Sequence, residues 1–229
     1  MPASLIREFV DNTIDPHIRG FLHVPGTPNG LGLVLSHGAG SNAQAPLLIA
    51  LAEVFSGGGF TVLRCDFPYR QTRPYGPPGP GDAARDRSGL RNALTAMRKT
   101  VSGAIFLGGH SYGGRQSSML CAELGEEAYD LVAGLVLLSY PLHPPRKPEQ
   151  QRTQHLPNLH APTLFVHGTR DPFGAIAELE QALKMIPGRT MLLPVEGAGH
   201  DLGFKGKMKK NELPERVLSE FNRFFELSS

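Results

Sequence analysis

Cysteine is nearly absent. Cys65 and Cys121 are the only two in 229 residues, and neither stands in a C-x-x-C. The familiar zinc and dithiol redox motifs are therefore excluded, and both thiols read as small buried hydrophobes. A strong charge of either sign is missing as well. Lys and Arg number 23 against 21 Asp and Glu, a formal net of +2, which does not argue for nucleic acid as a partner. The basic stretch KGKMKK (205–210) is short and local and reads as a solvated loop. No apolar run approaches the roughly 20 residues needed to span a bilayer. The first twenty residues carry Arg7, Glu8, Asp11 and Asp15 with no apolar stretch, so no signal peptide is expected there. These absences predict a soluble cytoplasmic protein, a monomer or homodimer, with neither membrane nor nucleic acid as partner.

Apolar residues make up 40% of the chain, and its length suits one large domain over 1–229. Apolar, β-branched runs alternate with helical stretches. The runs 4–10 and 18–24 flank a turn-like DNTIDP and read as a hairpin. Strands are predicted over 31–37, 60–66, 104–109, 132–139, 163–168 and 189–196. Helices are predicted from about Pro46 to Phe55, from Asp82 as cap through Leu90, Leu94, Met97 and Val101, over 112–124, through Ile176, Leu179, Leu183 and Ile186, and through Leu213, Val217, Leu218, Phe221, Phe224 and Phe225. Two stretches rich in Pro and polar residues, 68–81 and 140–162, read as irregular loops. Strand alternating with helix, on buried-type strands, predicts an α/β fold: a mostly parallel central sheet with helices on both faces. Ligands of such sheets sit at the carboxyl ends of the strands.

The residues at those ends form a pattern. After 104–109 comes GHSYGG, a G-x-S-x-G between a predicted strand and a predicted helix. A strand that turns at once into a helix strains the serine at its apex and leaves no room for side chains two residues away, hence Gly109 and Gly113 around Ser111. After 163–168 comes GTRDPFG with Asp171, and after 189–196 GAGHD with His200. A serine hydroxyl needs a base within reach, and the base needs an acid to orient it. Ser111, Asp171 and His200 supply the three in the order serine, acid, histidine. HGAG at 37–40 can aim backbone amides at a developing oxyanion, with the N–H groups of Ala39 and Tyr112 as the expected donors. Gly40, Tyr69, Arg70 and Arg73 are candidate pocket residues, the arginines as partners for a substrate carboxylate. His37, His110 and His167 read as structural.

Across nearly the whole chain these motifs resemble the α/β-hydrolase superfamily, and more narrowly its dienelactone-hydrolase-like group. SHGAG, DFPYR, GGHSYGGR, HGTRDPFG and GAGHDL together resemble the hydrolase-like domain of the third subunit of the NSL histone-acetyltransferase complex, a testis-expressed relative and bacterial homologues. Dienelactone hydrolases carry cysteine where this chain has Ser111, so the resemblance implies acyl transfer but not their substrate. It implies a serine hydrolase acting on an ester or related acyl bond of a small molecule, with no cofactor and no metal. The short 140–162 segment predicts no large cap, and an open pocket walled by 68–81 and 140–162. Four other readings compete, one of them a phosphate loop, which has its glycine spacing at Gly109 to Gly114 but Arg115 and Gln116 where Lys and Ser/Thr should stand. GAGSNA after a strand, with Asp66 ending the next, passes for a dinucleotide fingerprint and an NAD-dependent oxidoreductase. The same fold can serve as a non-catalytic binding module. A metal site from His143, His155 and His160 fits no common ligand spacing.

Overall fold

Continuous apolar runs become the interior strands of one sheet. The computed structural model describes residues 4–204 and 212–227, so the basic stretch 205–210 lies outside the described residues. Strands β1 (Leu5–Asp11), β2 (Ile18–Val24), β3 (Gly32–Ser36), β4 (Thr61–Cys65), β5 (Ile105–His110), β6 (Gly134–Leu138), β7 (Thr163–Gly168) and β8 (Thr190–Val195) align in the order β1-β2-β4-β3-β5-β6-β7-β8. β1 pairs antiparallel with β2, and β2 with β4; every other pairing is parallel. β3, β4, β6 and β7 are buried at every residue, as strands covered on both faces must be. β1, with polar Arg7 and Glu8 among its apolar residues, takes the exposed edge.

Among the described residues seven α-helices accompany the sheet: α1 (Pro46–Gly57), α2 (Pro68–Thr72), α3 (Asp82–Arg98), α4 (Tyr112–Leu124), α5 (Glu127–Leu131), α6 (Ile176–Leu183) and α7 (Leu213–Phe225). Successive strand residues point to opposite layers. Leu33, Leu35, Phe106 and Val136 meet α1 and α7 on one face. Val34, Leu107, Leu135 and Leu137 meet α3, α4 and α6 on the other. The first layer centres on Phe221 of α7. Its ring meets Phe55, Phe60 and Phe106 at 5.1, 5.8 and 4.7 Å, all edge-to-face, the arrangement ring quadrupoles favour.

Three local expectations are corrected. Residues 68–81 are not wholly irregular: Pro68 opens α2, because a proline at the first helical position loses no hydrogen bond. Asp82 does not cap α3. It is the first helical residue, after Gly81, and its carboxylate accepts the Gly79 N–H at 2.6 Å and pairs with Arg73. The 140–162 segment holds one 3-10 turn, Leu156–Asn158, and is a packed strap. Tyr140, Leu142, Leu156 and Leu159 are fully buried in it, and the Tyr140 hydroxyl donates to Arg152 O at 2.7 Å. The short helix α5 had no counterpart in the sequence reading.

Three histidines are held neutral inside this framework. His23, His37 and His155 are each lowered to about 4, chiefly by burial. His23 Nε2 accepts from Arg64 Nε at 2.9 Å, and His37 Nε2 accepts the Phe67 N–H at 3.2 Å, so a proton on either nitrogen breaks a bond. Below the ordinary histidine range the unfolded chain binds protons that the folded one refuses. Stability is therefore complete above about pH 6.5 and declines as pH falls from there toward 4. Thermal unfolding followed across that window should show a steadily falling Tm, and His37→Gln should flatten part of the decline.

Candidate active site

The site grows from one turn of backbone. Ser111 joins β5 to α4 at φ 53°, ψ −114°, a left-handed conformation that costs a non-glycine residue roughly 1–3 kcal/mol. The turn lies against the end of β3. A Cβ on Gly109 would stand 2.4 Å from Ser36 Oγ and 2.7 Å from Gly113 C. One on Gly113 would stand 2.6 Å from Ser36 Oγ and 2.8 Å from His37 O. The glycines thus clear the neighbouring strand as much as each other.

The loops after β7 and β8 bring Asp171 and His200 to this serine. Asp171 Oδ2 and Oδ1 lie 2.8 and 3.0 Å from His200 Nδ1, and His200 Nε2 lies 2.8 Å from Ser111 Oγ. A carboxylate only accepts, so Nδ1 carries the hydrogen and Nε2 faces the hydroxyl as an acceptor. Burial alone would raise the Asp171 carboxyl. The His200 hydrogen bond and charge, the Phe173 N–H at 2.9 Å and His167 outweigh it and hold the group below the usual carboxylate range. Phe173 packs on the His200 ring at 4.2 Å between centroids. His110, expected to be structural, donates from Nε2 to His200 O at 2.7 Å and so holds the backbone of that histidine. His167 donates to Gly174 O at 2.9 Å beneath the Asp171 loop.

Residues 38–41 form a tight turn, with Ser41 N–H donating to Gly38 O. His37 Nδ1 donates to the same oxygen at 2.8 Å. In a trans peptide the carbonyl and the next N–H point opposite ways, so anchoring Gly38 O directs the Ala39 amide away from His37. Neither the Ala39 nor the Tyr112 amide donates to an acceptor among the described residues.

A cavity of about 370 Å³ opens over the serine. Gly40, Leu47, Leu48, Phe173 and Phe204 are among its walls, with Ser111, His110 and His200 at its floor. Among the described residues neither 68–81 nor 140–162 lines it, which corrects the expected walls. Of the tentative pocket residues, Gly40 is there; Tyr69, Arg70 and Arg73 are not. They lie behind the 38–41 turn. The Tyr69 hydroxyl donates to Ala39 O at 2.7 Å. Arg70 donates to the carbonyls of Ser41, Arg73, Ala39 and Gly76, and Arg73 pairs with Asp82. The Tyr69 and Arg70 donors are taken by the protein itself, and Arg73 is half exposed beside Asp82.

The dinucleotide reading needs Asp66 free for a ribose. Instead its carboxylate accepts the Ala43 N–H at 2.7 Å, and α1 opens only at Pro46, well past the glycines. No cluster of three metal-ligating side chains occurs among the described residues, those around His143, His155 and His160 included. Burial pushes both thiols, Cys65 and Cys121, up to about 12, so neither is a thiolate nucleophile.

A mostly parallel sheet that presents a serine elbow at the same edge as an acid loop and a histidine loop is the architecture of an α/β hydrolase. The chain belongs to that family: residues 30–225 match the model described as Alpha/beta hydrolase domain. Solved structures agree on the fold. A dienelactone hydrolase from Anabaena variabilis is 21% identical, with 98% of each chain covered and a TM-score of 0.73. XC6422 from Xanthomonas campestris, described as a serine hydrolase without lid, is 16% identical, with 100% of this chain and 98% of that one covered and a TM-score of 0.70. Est1E from Butyrivibrio proteoclasticus is 15% identical over 98% and 100%, with a TM-score of 0.69. No helix among the described residues is long and apolar enough to cross a membrane.

Gly109→Ala should destabilise the fold by about 3 kcal/mol in urea titration, because backbone as well as side chain stands in the way. Adding Ser36→Ala should recover only part of the loss, since Ser36 O would still lie 2.8 Å from the new methyl.

Proposed function

We propose that the protein is a serine hydrolase that cleaves an ester or related acyl bond of a small substrate. The observation that carries the reading is the unbroken chain Asp171–His200–Ser111, at 2.8 Å per link, on the floor of the cavity. In the proposed reaction Ser111 Oγ attacks the acyl carbonyl while His200 Nε2 takes its proton. Asp171 keeps the imidazole oriented and stabilises the imidazolium. The amides of Ala39 and Tyr112 hold the oxyanion of the tetrahedral intermediate. That intermediate collapses as His200 returns the proton to the leaving group, and an acyl-Ser111 ester remains. A water molecule, deprotonated by the same histidine, attacks it and releases the acid. No cofactor is needed for any of these steps.

The apolar wall of Leu47, Leu48, Phe173 and Phe204 supports an apolar group on a small substrate, and the limited volume favours short acyl groups over long lipids. Closer kinship with the NSL third-subunit domain and its relatives is part of this proposal, carried by the five motifs that include DFPYR. So is a cytoplasmic, reducing setting, in which Cys65 and Cys121 stay free.

A fluorophosphonate probe should label the wild-type protein and leave folded Ser111→Ala unlabelled. A folded wild type that resists the probe contradicts an activated serine. Folded His200→Gln should lose ester hydrolysis and probe labelling together, because a glutamine amide cannot take the Ser111 proton. A folded His200→Gln as active as wild type excludes His200 as the base.

A further inference from the structure

Asp86 is a buried carboxylate that forms no salt bridge among the described residues. It sits on α3, is 0% exposed, and points inward on the stripe that carries Leu90 and Met97. A carboxylate in such a place is costly unless donors meet it. Two do. The Tyr112 hydroxyl donates to Oδ2 at 2.7 Å, and the Tyr69 N–H to Oδ1 at 3.3 Å. Among the described residues no arginine, lysine or histidine bonds to it.

The identity of those two donors is what gives Asp86 a role. Tyr112 follows Ser111 and carries one candidate oxyanion amide. Tyr69 reaches Ala39, the residue with the other, through the 2.7 Å bond from its hydroxyl to Ala39 O. The two tyrosine rings meet edge-on at 6.1 Å, and Phe67 packs edge-on against Tyr112 at 5.3 Å, so neither phenol has room to turn away. Ala39 and Tyr112 lie after different strands, β3 and β5, and the sheet alone fixes their spacing only as well as its loops are fixed. We infer that Asp86 is a positioning residue for the acyl-transfer site: it ties Tyr112 directly, and Ala39 through Tyr69, so that the two amides face one oxyanion at a set distance.

The inference rests on the hydrolase reading and deepens it. Burial raises the Asp86 carboxyl, and the bonds from Tyr112 and Tyr69 oppose that rise. Burial also pushes the Tyr69 phenol up to about 12 and the Tyr112 phenol higher still, so both remain donors at neutral pH. An arrangement set before substrate arrives lowers the barrier without tightening the ground-state complex, since the oxyanion exists only in the transition state.

The test uses Asp86→Asn, Tyr112→Phe and the double variant, with kcat and KM measured separately on a chromogenic short-chain ester. In Asp86→Asn an amide hydrogen must face one of the two donors, and in Tyr112→Phe the donor is gone. Each single variant should lower kcat by about 10- to 100-fold, with KM within about threefold of wild type. The double variant should lose little more than the worse single one, because both changes break the same bond. A kcat at the wild-type level in either folded variant overturns the inference, as does a loss confined to KM, or losses that multiply in the double variant. If Asp86→Asn fails to fold, Tyr112→Phe decides alone. A wild type inert to esters and to fluorophosphonate removes the hydrolase reading and the inference together. An active wild type with an unaffected Asp86→Asn removes the inference only.

Discussion

The backbone of Ser111, held left-handed at φ 53°, ψ −114° between β5 and α4, is the constraint on which the rest of the site depends. It is tolerable only because the end of β3 lies hard against the turn and glycine stands wherever a Cβ would strike it. The parallel pairing of β3 with β5 puts Ser36 opposite Gly109, and that pairing is itself set by apolar runs buried on both faces. The packing of two layers thus decides where one hydroxyl projects. Among non-glycine residues the acid loop has no positive φ, and the histidine loop has one, Leu202 at φ 51°. They leave β7 and β8 at the same edge of the sheet and meet the serine through side chains.

Behind the turn at 38–41 stands a second construction, made of polar groups that face inward. Arg70 is nearly buried and gives its hydrogens to four backbone carbonyls. His37 clamps Gly38 O, and Asp86 gathers Tyr69 and Tyr112. Each of these groups would be costly to bury alone, and each is tolerated because its partners are complete. The result is a loop braced from behind while its Ala39 amide donates to no acceptor among the described residues. A loop fixed in this way suits chemistry in which charge appears briefly and must find its donors already in place.

Much of this was legible in the sequence because it is local. Gly109, Ser111 and Gly113 lie within one turn, the strands carry their period, and Asp171 and His200 follow strands at the distance loops allow. The pocket wall was not legible, because it depends on which way a loop folds. Pro68 reads as a breaker and in fact begins a helix. Arg70 and Arg73 read as pocket cations for a substrate carboxylate, whereas Arg70 turns inward to backbone carbonyls and Arg73 pairs with Asp82 at the surface. The apolar wall comes from Leu47 and Leu48, whose sequence signal is that of any core helix, and from Phe173 and Phe204, single aromatics in loops. Asp86 did leave a trace, a carboxylate one turn before Leu90 on an otherwise apolar stripe. His110 left none, since its bond to His200 O joins the end of β5 to a loop distant in the chain.

The central claim is that the elbow serine is activated and becomes acylated. Intact-mass analysis of protein quenched early in reaction with p-nitrophenyl acetate, followed by peptide mapping, tests it most directly. The account predicts a single acetyl group on Ser111 in the wild type, formed in a burst and then lost, and none in Ser111→Ala. No acetyl on the wild type at any time, or one on a lysine that persists in Ser111→Ala, would contradict it.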